Sequence, residues 1–312
     1  MLKTVRLPAC VISVGNITVG GTGKTPVVEY ISRYIHKKGK RVAILSRGYA
    51  SRIQQKNSSL TGNVCNDEYL LFRENIPEIP HIVNKNRVKG GREAIERFRA
   101  EYLLLDDGFQ HLKLARDVNI ITIDALNPLG YERIFPEGLL REPVEGLKRA
   151  DMIILTHVDQ CSPNAINSII DRLRKIAGHI PIIETVHKPV CLESVKDNAT
   201  LDIGFLNGKR VFGFCAIGNP ESFRKSIETL GAELIGFYTF PDHHVYTSSE
   251  LEKVNAEARR MLPDAIIITQ KDKVKLQEYS TRWNIPLLSL KIEIRIVNGL
   301  AIFENKIDAV LN

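Results

Sequence analysis

The sequence predicts an α/β protein: a parallel sheet with helices on both faces, followed by a second, smaller α/β domain. Two observations carry that prediction. Short apolar runs alternate with amphipathic helical stretches through the first half of the chain, the pattern of right-handed β-α-β crossovers. After residue 207 the same alternation resumes on a smaller scale.

Residues 9–14 form an apolar run ending at Gly15 and read as a buried strand. Residues 25–38 put Val27, Val28, Ile31 and Ile35 on one helical face. Lys37, Lys38 and Gly39 suit that helix's C-terminus. Residues 41–45 read as the next strand, 67–74 as a helix, and 87–99 as a helix with Ile95 and Phe98 facing in. Three more buried strands follow at 102–105, 118–123 and 152–155. The helix after Pro163 carries Ile166, Ile169, Ile170 and Leu173. Residues 185–207 are less periodic, so the domain junction is placed there, dividing the chain into 1–190 and 191–312. Beyond it come strands at 210–215, 233–240 and 265–269, and helices at 220–230, 249–261 and 271–279. The polar stretch 53–64 reads as a loop.

In 312 residues, 44% hydrophobic and 25% charged, the balance is globular, which excludes disorder and low complexity as the main character. No apolar run approaches the roughly 18 residues of a membrane span, and the opening MLKTVRLPAC has no signal-peptide core. The net charge of +7 favours anionic partners, phosphates or an acidic membrane surface among them. Five scattered cysteines (10, 65, 161, 191, 215), with no Cys-x-x-Cys, fit free thiols in a reducing compartment.

The sharpest feature is the stretch from Gly15 to Thr25, GNITVGGTGKT, which follows a strand and opens a helix. That is the context of a phosphate-binding P-loop, and it makes the predicted sheet P-loop NTPase-like. Gly20, Gly21 and Gly23 let the backbone wrap phosphate oxygens, and the helix N-terminus adds positive potential. Thr22 lies within the loop, and Thr18 stands where the strict pattern has glycine. Lys24 suits the β- and γ-phosphates of a nucleotide, and the Thr25 hydroxyl suits Mg²⁺. The run LLLDDGFQH, with Asp106 and Asp107 after a buried strand, follows Walker B logic: carboxylates at the sheet's C-terminal edge hold the metal. A GTPase-type switch or scaffold is the rival. Residues 151–159, DMIILTHVD, place Thr156 and Asp159 as in a guanine-recognition motif, but His157 replaces its lysine. Residues 269–272, TQKD, hold similar residues in the wrong order.

SVGNITVGGTGKTP (13–26), SRGY (46–49), DDGFQH (106–111), LREP (140–143), FPDHH (240–244) and TQKD resemble, in order and spacing, the tetraacyldisaccharide 4′-kinases, the lipid A 4′-kinases. The resemblance covers the chain from about Pro8 onward. It implies transfer of the ATP γ-phosphate, with Mg²⁺, to the 4′-hydroxyl of tetraacyldisaccharide 1-phosphate in lipopolysaccharide biosynthesis. The expected location is peripheral, on the cytoplasmic face of the bacterial inner membrane. No nucleic acid and no obligate protein partner are expected. By position, Thr18, Gly20, Gly21, Thr22, Gly23, Lys24 and Thr25 bind ATP, Thr25, Asp106, Asp107 and Glu142 surround the metal, and Arg141 assists the phosphates. The smaller domain is expected to close over the cleft and exclude water.

Two departures from the family pattern set further expectations. The family's aspartate base aligns with Asn86, and an amide cannot accept the hydroxyl proton. The base is therefore expected to be His243, oriented by Asp242, with Asn86 positioning the hydroxyl. The family usually carries a longer leader with an apolar helix, whereas about eight residues precede the first strand here. Either the start lies upstream or membrane contact uses other surface, with candidates in Lys3, Arg6 and the loop 126–140 holding Leu129, Tyr131, Ile134 and Phe135. Ser46, Arg47 and Gly48 are expected near the ligand, and Asp67 as a helix cap.

Overall fold

A computed structural model describes residues 4–48 and 67–311. Lys3, Tyr49, Cys65, Asn66 and the 53–64 stretch lie outside the described residues. The chain begins β1 (Cys10–Gly15), α1 (Lys24–Lys37), β2 (Val42–Ser46), α2 (Asp67–Asn75), β3 (His81–Val83), α3 (Arg87–Phe98), β4 (Tyr102–Asp106) and β5 (Val118–Asp124). It continues with β6 (Met152–Thr156), α4 (Pro163–Ala177), β7 (Ile182–Ser194), β8 (Thr200–Leu201), β9 (Arg210–Cys215), α5 (Pro220–Thr229) and β10 (Glu233–Thr239). It ends with α6 (Ser248–Met261), β11 (Ala265–Thr269), α7 (Gln270–Leu276), β12 (Leu287–Asn298) and α8 (Leu300–Leu311).

Two compact units form. Among the described residues, the first holds 4–48, 72–187 and 294–311, and the second holds 67–71 and 188–293. The sequence reading had everything after residue 190 in the smaller domain. The difference at the C-terminus has a packing cause: α8 lies on α1. Phe303 meets Tyr30 and Tyr34 edge-on, and Asp308 bonds the Tyr34 hydroxyl and Lys38.

In the first unit the strands run parallel in the order β7-β6-β5-β1-β4-β2-β3. Alternate residues of these strands face opposite sides. Ile12, Val14, Ile44, Leu104 and Ile120 meet Val27, Val28, Ile31 and Ile35 of α1 and Phe303 and Ile307 of α8. On the other face, Ala43, Leu45, Leu103 and Leu105 meet Ala94 of α3, while Ile121, Ile153 and Leu155 meet Ile166 and Leu173 of α4. Each such aliphatic side chain contributes roughly 1.5–3 kcal/mol by leaving water. Phe98, expected inward, is exposed at the end of α3.

The second unit has its own parallel order, β10-β9-β11-β12. Phe212 and Phe214 of β9 face α6 through Leu251, Val254 and Ala258, and Val211 faces α5 through Phe223 and Ile227. β7 occupies the first part of the stretch read as a junction without periodicity, residues 185–194. Its burial is mixed and it contains Pro189, so it lacks the apolar run that marks the central strands.

Candidate active site

β1 lies between β4 and β5, so the loop that leaves it emerges at the middle of the first unit's sheet edge. Gly23 ends this loop in the left-handed region, φ 77° and ψ 22°, directly before α1. A Cβ there would sit 2.8 Å from His187 Nε2, so both conformation and space call for glycine. α1 has no side-chain cap and no acidic residue in its first turn, which leaves its N-terminal amides and dipole to an anion.

The loop is braced throughout. The Thr22 hydroxyl lies 2.7 Å from that of Thr122 and accepts from Asn16 Nδ2 at 3.2 Å. Thr156 donates to the Thr22 carbonyl at 3.2 Å. Thr18 bridges to Leu140, Val19 N donates to Leu139 O at 2.6 Å, and Arg141 N donates to Ile17 O at 2.7 Å. That pairing of 17–19 with 139–141 delivers the Arg141 side chain to the loop.

Asp106 ends β4 opposite Val14, and Asp107 follows in a left-handed conformation, φ 50°. The Asp107 carboxylate accepts from Arg141 NH1 at 2.7 and 3.0 Å and lies 3.6 Å from Lys24 Nζ. Burial opposes the ionised form of Asp107, but Lys24 and Arg141 outweigh it and hold its pKa below the ordinary carboxylate range. The structure therefore brings together Lys24, Asp107 and Arg141, which lie far apart in sequence. Arg87 donates to the Asp106 carbonyl at 3.1 Å, and Arg116 holds the following turn through the carbonyls of Gly108, Phe109 and His111. The two oxygens of Glu142 accept from Gln110 Nε2 at 2.8 Å and Arg149 Nη2 at 2.6 Å, and Gln110 also reaches the Asn16 carbonyl.

Within the second unit, His243 Nδ1 lies 3.0 Å from both Asp67 oxygens. The carboxylate only accepts, so Nδ1 carries the proton and Nε2 is left as the basic nitrogen. Asp242, the expected orienter, instead accepts the His243 backbone N–H and stands 3.7 Å from Nε2. The hydrogen bond to Asp67 raises the His243 pKa above its ordinary value against the opposing effect of burial. Burial would raise the Asp67 pKa, but His243, Lys271 and Lys275 together push it well below the usual range. Asp67, expected as a helix cap in a segment that imperfectly matches the family's Gly-Asp-Glu-Pro, accepts from the Glu68 amide at 3.1 Å. Its pairing with His243 spans 176 positions and had no local signal. The one available signal was the chemical need for a carboxylate near the histidine.

Asn86 is the N-cap of α3 and accepts from Lys89 N at 3.1 Å, a local structural duty. Ser46 is paired with His81, whose pKa burial drives down to about 3. In the guanine-like stretch, Thr156 serves the P-loop and His157 Nδ1 lies 3.0 Å from Asp124. In TQKD, Asp272 is wholly buried. It accepts from Tyr246 Oη at 2.8 Å, Thr269 Oγ1 at 2.7 Å and Ala216 N at 3.2 Å, so it ties Tyr246 to the ends of β9 and β11.

The donor set fits MgATP. A buried Thr25 opens α1, and the Asp107 carboxylate just past β4 lies 3.6 Å from the lysine of the same loop. Mg²⁺ is a hard cation held by few protein oxygens plus phosphates, which is the kind of donor that Thr25 and the aspartates supply.

A parallel sheet with a Gly-Lys-Thr loop entering a helix, faced by an aspartate–arginine pair, defines a P-loop nucleotide-binding protein. The chain belongs to the tetraacyldisaccharide-1-P 4′-kinase family, whose model matches residues 1–312. It is 39% identical over 311 residues to the tetraacyldisaccharide 4′-kinase of Syntrophus aciditrophicus (strain SB), covering 95% of this chain and 83% of that protein. It is 36% identical over 319 residues to the enzyme of the same name from Halothermothrix orenii (strain H 168), with the same coverage. The crystal structure of LpxK from Aquifex aeolicus in complex with ATP superposes with a TM-score of 0.71 at 29% identity, covering 100% of this chain and 91% of that one. These similarities favour a kinase over a GTPase-type switch or scaffold.

Proposed function

We propose a division of labour for the ATP-dependent 4′-phosphorylation of tetraacyldisaccharide 1-phosphate, the activity that family membership assigns to this chain. The loop from Thr18 to Thr25 cradles the phosphates, with Lys24 on the β- and γ-phosphates. Thr25, Asp106 and Asp107 would hold Mg²⁺, which would supply charge neutralisation on the phosphates. Arg141, held at Asp107, offsets negative charge that develops on the transferred group. His243 Nε2 accepts the proton of the 4′-hydroxyl, whose oxygen bonds to the γ-phosphorus as the bond to the β-phosphate oxygen breaks and ADP leaves. Asp67 keeps the His243 tautomer fixed and stabilises the imidazolium formed in that step.

The observation that carries the proposal is the charge cluster of Lys24, Asp107 and Arg141 on the phosphate loop. A peripheral position on the cytoplasmic face of the inner membrane is the corresponding location. It is supported by a lipid substrate, a net charge of +7, and the lack, among the described residues, of a helix long and apolar enough to cross a membrane. The test is transfer of labelled γ-phosphate from ATP or GTP to tetraacyldisaccharide 1-phosphate in detergent micelles with Mg²⁺. Labelled lipid formed from ATP supports the reading. Lipid-independent hydrolysis with GTP preferred, and no labelled lipid, overturns it.

A further inference from the structure

Residues 129–140 invert the usual placement of apolar side chains. Leu129 and Leu140 anchor the segment in the core, whereas Tyr131, Ile134 and Phe135 are 74%, 50% and 61% exposed. The segment is held firmly. Glu132 N donates to Leu129 O, Phe135 N to Leu140 O, Leu140 N to Arg133 O and Leu139 N to Gly130 O, all at 2.8–2.9 Å. Glu132 is also clamped by Arg172 at 2.9 Å. Tyr131 and Glu132 both hold positive φ, 64° and 56°, a conformation that costs of order 1–3 kcal/mol per residue and persists only where the surroundings enforce it. The backbone thus projects an aromatic, an aliphatic and a second aromatic residue into water on a rigid platform. The same platform is fastened to the phosphate loop through Val19 N to Leu139 O and the Thr18–Leu140 bridge, and Val19 is itself exposed.

We infer that Tyr131, Ile134 and Phe135 form a wedge that enters the interfacial layer of a lipid bilayer and seats the phosphate loop at the surface where the acylated substrate resides. This inference rests on the lipid kinase reading above. A second copy or a protein partner fits the wedge poorly. An aromatic side chain offers on the order of 150–250 Å², and three such tips fall below the ~800 Å² per partner of a stable protein interface. A bilayer requires no complementary shape, and an amphipathic tyrosine suits the headgroup boundary, while exposed Arg133 is offset by Glu137 at 3.9 Å, so the apolar tips carry the contact. The chain's +7 charge adds attraction to anionic lipid.

The test uses the full chain with vesicles of mixed phosphatidylcholine and phosphatidylglycerol, read by co-sedimentation. The triple variant Tyr131→Ser, Ile134→Ser, Phe135→Ser is expected to bind at least ten-fold more weakly, with micelle kinase activity within two-fold of wild type. A control variant, Val297→Ser with Ile302→Ser, removes exposed apolar groups elsewhere and is expected to bind as wild type does. Phe135→Trp is expected to give fluorescence quenched by brominated acyl chains. Undiminished vesicle binding by the triple variant, or an unquenched Phe135→Trp, overturns the wedge while leaving membrane association by other surface intact. Loss of micelle activity with vesicle binding retained also overturns it, as does a dimer in wild type that the triple variant abolishes. Wild type that ignores vesicles yet phosphorylates substrate in micelles removes both the wedge and the membrane location but not the kinase.

Discussion

Replacing Asp67 with Asn keeps the shape of the side chain and removes its charge. The Asp67 carboxylate is nearly inaccessible, and both of its oxygens lie 3.0 Å from His243 Nδ1. An amide oxygen still accepts that hydrogen bond but no longer stabilises an imidazolium. Burial and the nearby Lys271 would then dominate His243 and lower its pKa. A positioned general base contributes roughly 10²–10⁴-fold to a rate. With orientation kept, kcat should fall about 10²–10³-fold, or about 2.7–4 kcal/mol at 1.36 kcal/mol per decade. The assay is the initial rate of phosphate transfer at saturating MgATP between about pH 5.5 and 9. Wild-type activity should rise with pH through a midpoint above the ordinary histidine value of about 6.5, because Nε2 must be unprotonated. In Asp67→Asn that midpoint should move to lower pH, with KM for ATP unchanged. Stability provides an independent check. The raised His243 pKa contributes stability that is full below its unfolded value and is lost as pH rises through the folded one. The lowered Asp67 pKa contributes stability that is full above its unfolded value and is lost only as pH falls through the folded one. The two overlap between roughly pH 3.9 and 6.5, the unfolded values. The Tm gap between wild type and variant should be widest there, worth about 1.5–3 kcal/mol for a hydrogen bond to a charged group, and should narrow toward pH 9. An unmoved acid limb with less than three-fold loss of kcat would refute the assignment of the base.

Three other outcomes follow from the same geometry. Lys24→Met should lower phosphate transfer by at least about 10²–10³-fold, measured as kcat at saturating lipid, while Tm changes little because Asp107 keeps Arg141. Gly23→Ala should raise KM for ATP through the 2.8 Å approach to His187 and the positive φ, and adding His187→Ala should recover part of the loss by relieving the contact but not the backbone strain. Asn86→Ala should cost about 0.5–2 kcal/mol in thermal or denaturant unfolding through loss of the α3 cap and leave kcat within two-fold; a kcat loss matching that of Asp67→Asn would return Asn86 to the catalytic set.

The strands that carry the site were legible because they are central in their sheet. β1, β4, β5 and β6 are covered on both faces, so nearly every residue is apolar and the run announces itself. β7 and β12 were missed because their burial is mixed, and β3 because it is three residues long. α8 has a clear apolar face in Phe303, Ile307 and Leu311, but no chemistry called attention to it, and its place on α1 depends on residues some 270 positions away.

By itself the sequence determined the sheet type, the phosphate loop and the family, because these rest on contiguous residues: a buried run, glycines at a turn, a lysine opening a helix. Only the tertiary structure decided which carboxylate serves His243, that Arg141 and Lys24 share Asp107, and that Asn86 is a cap. A hydrogen bond between residues 67 and 243 is selected by how β-α-β units pack in space. Local composition carries no record of that distance, since either Asp242 or Asp67 satisfies the same chemistry on paper and only packing brings one of them to 3.0 Å of the ring.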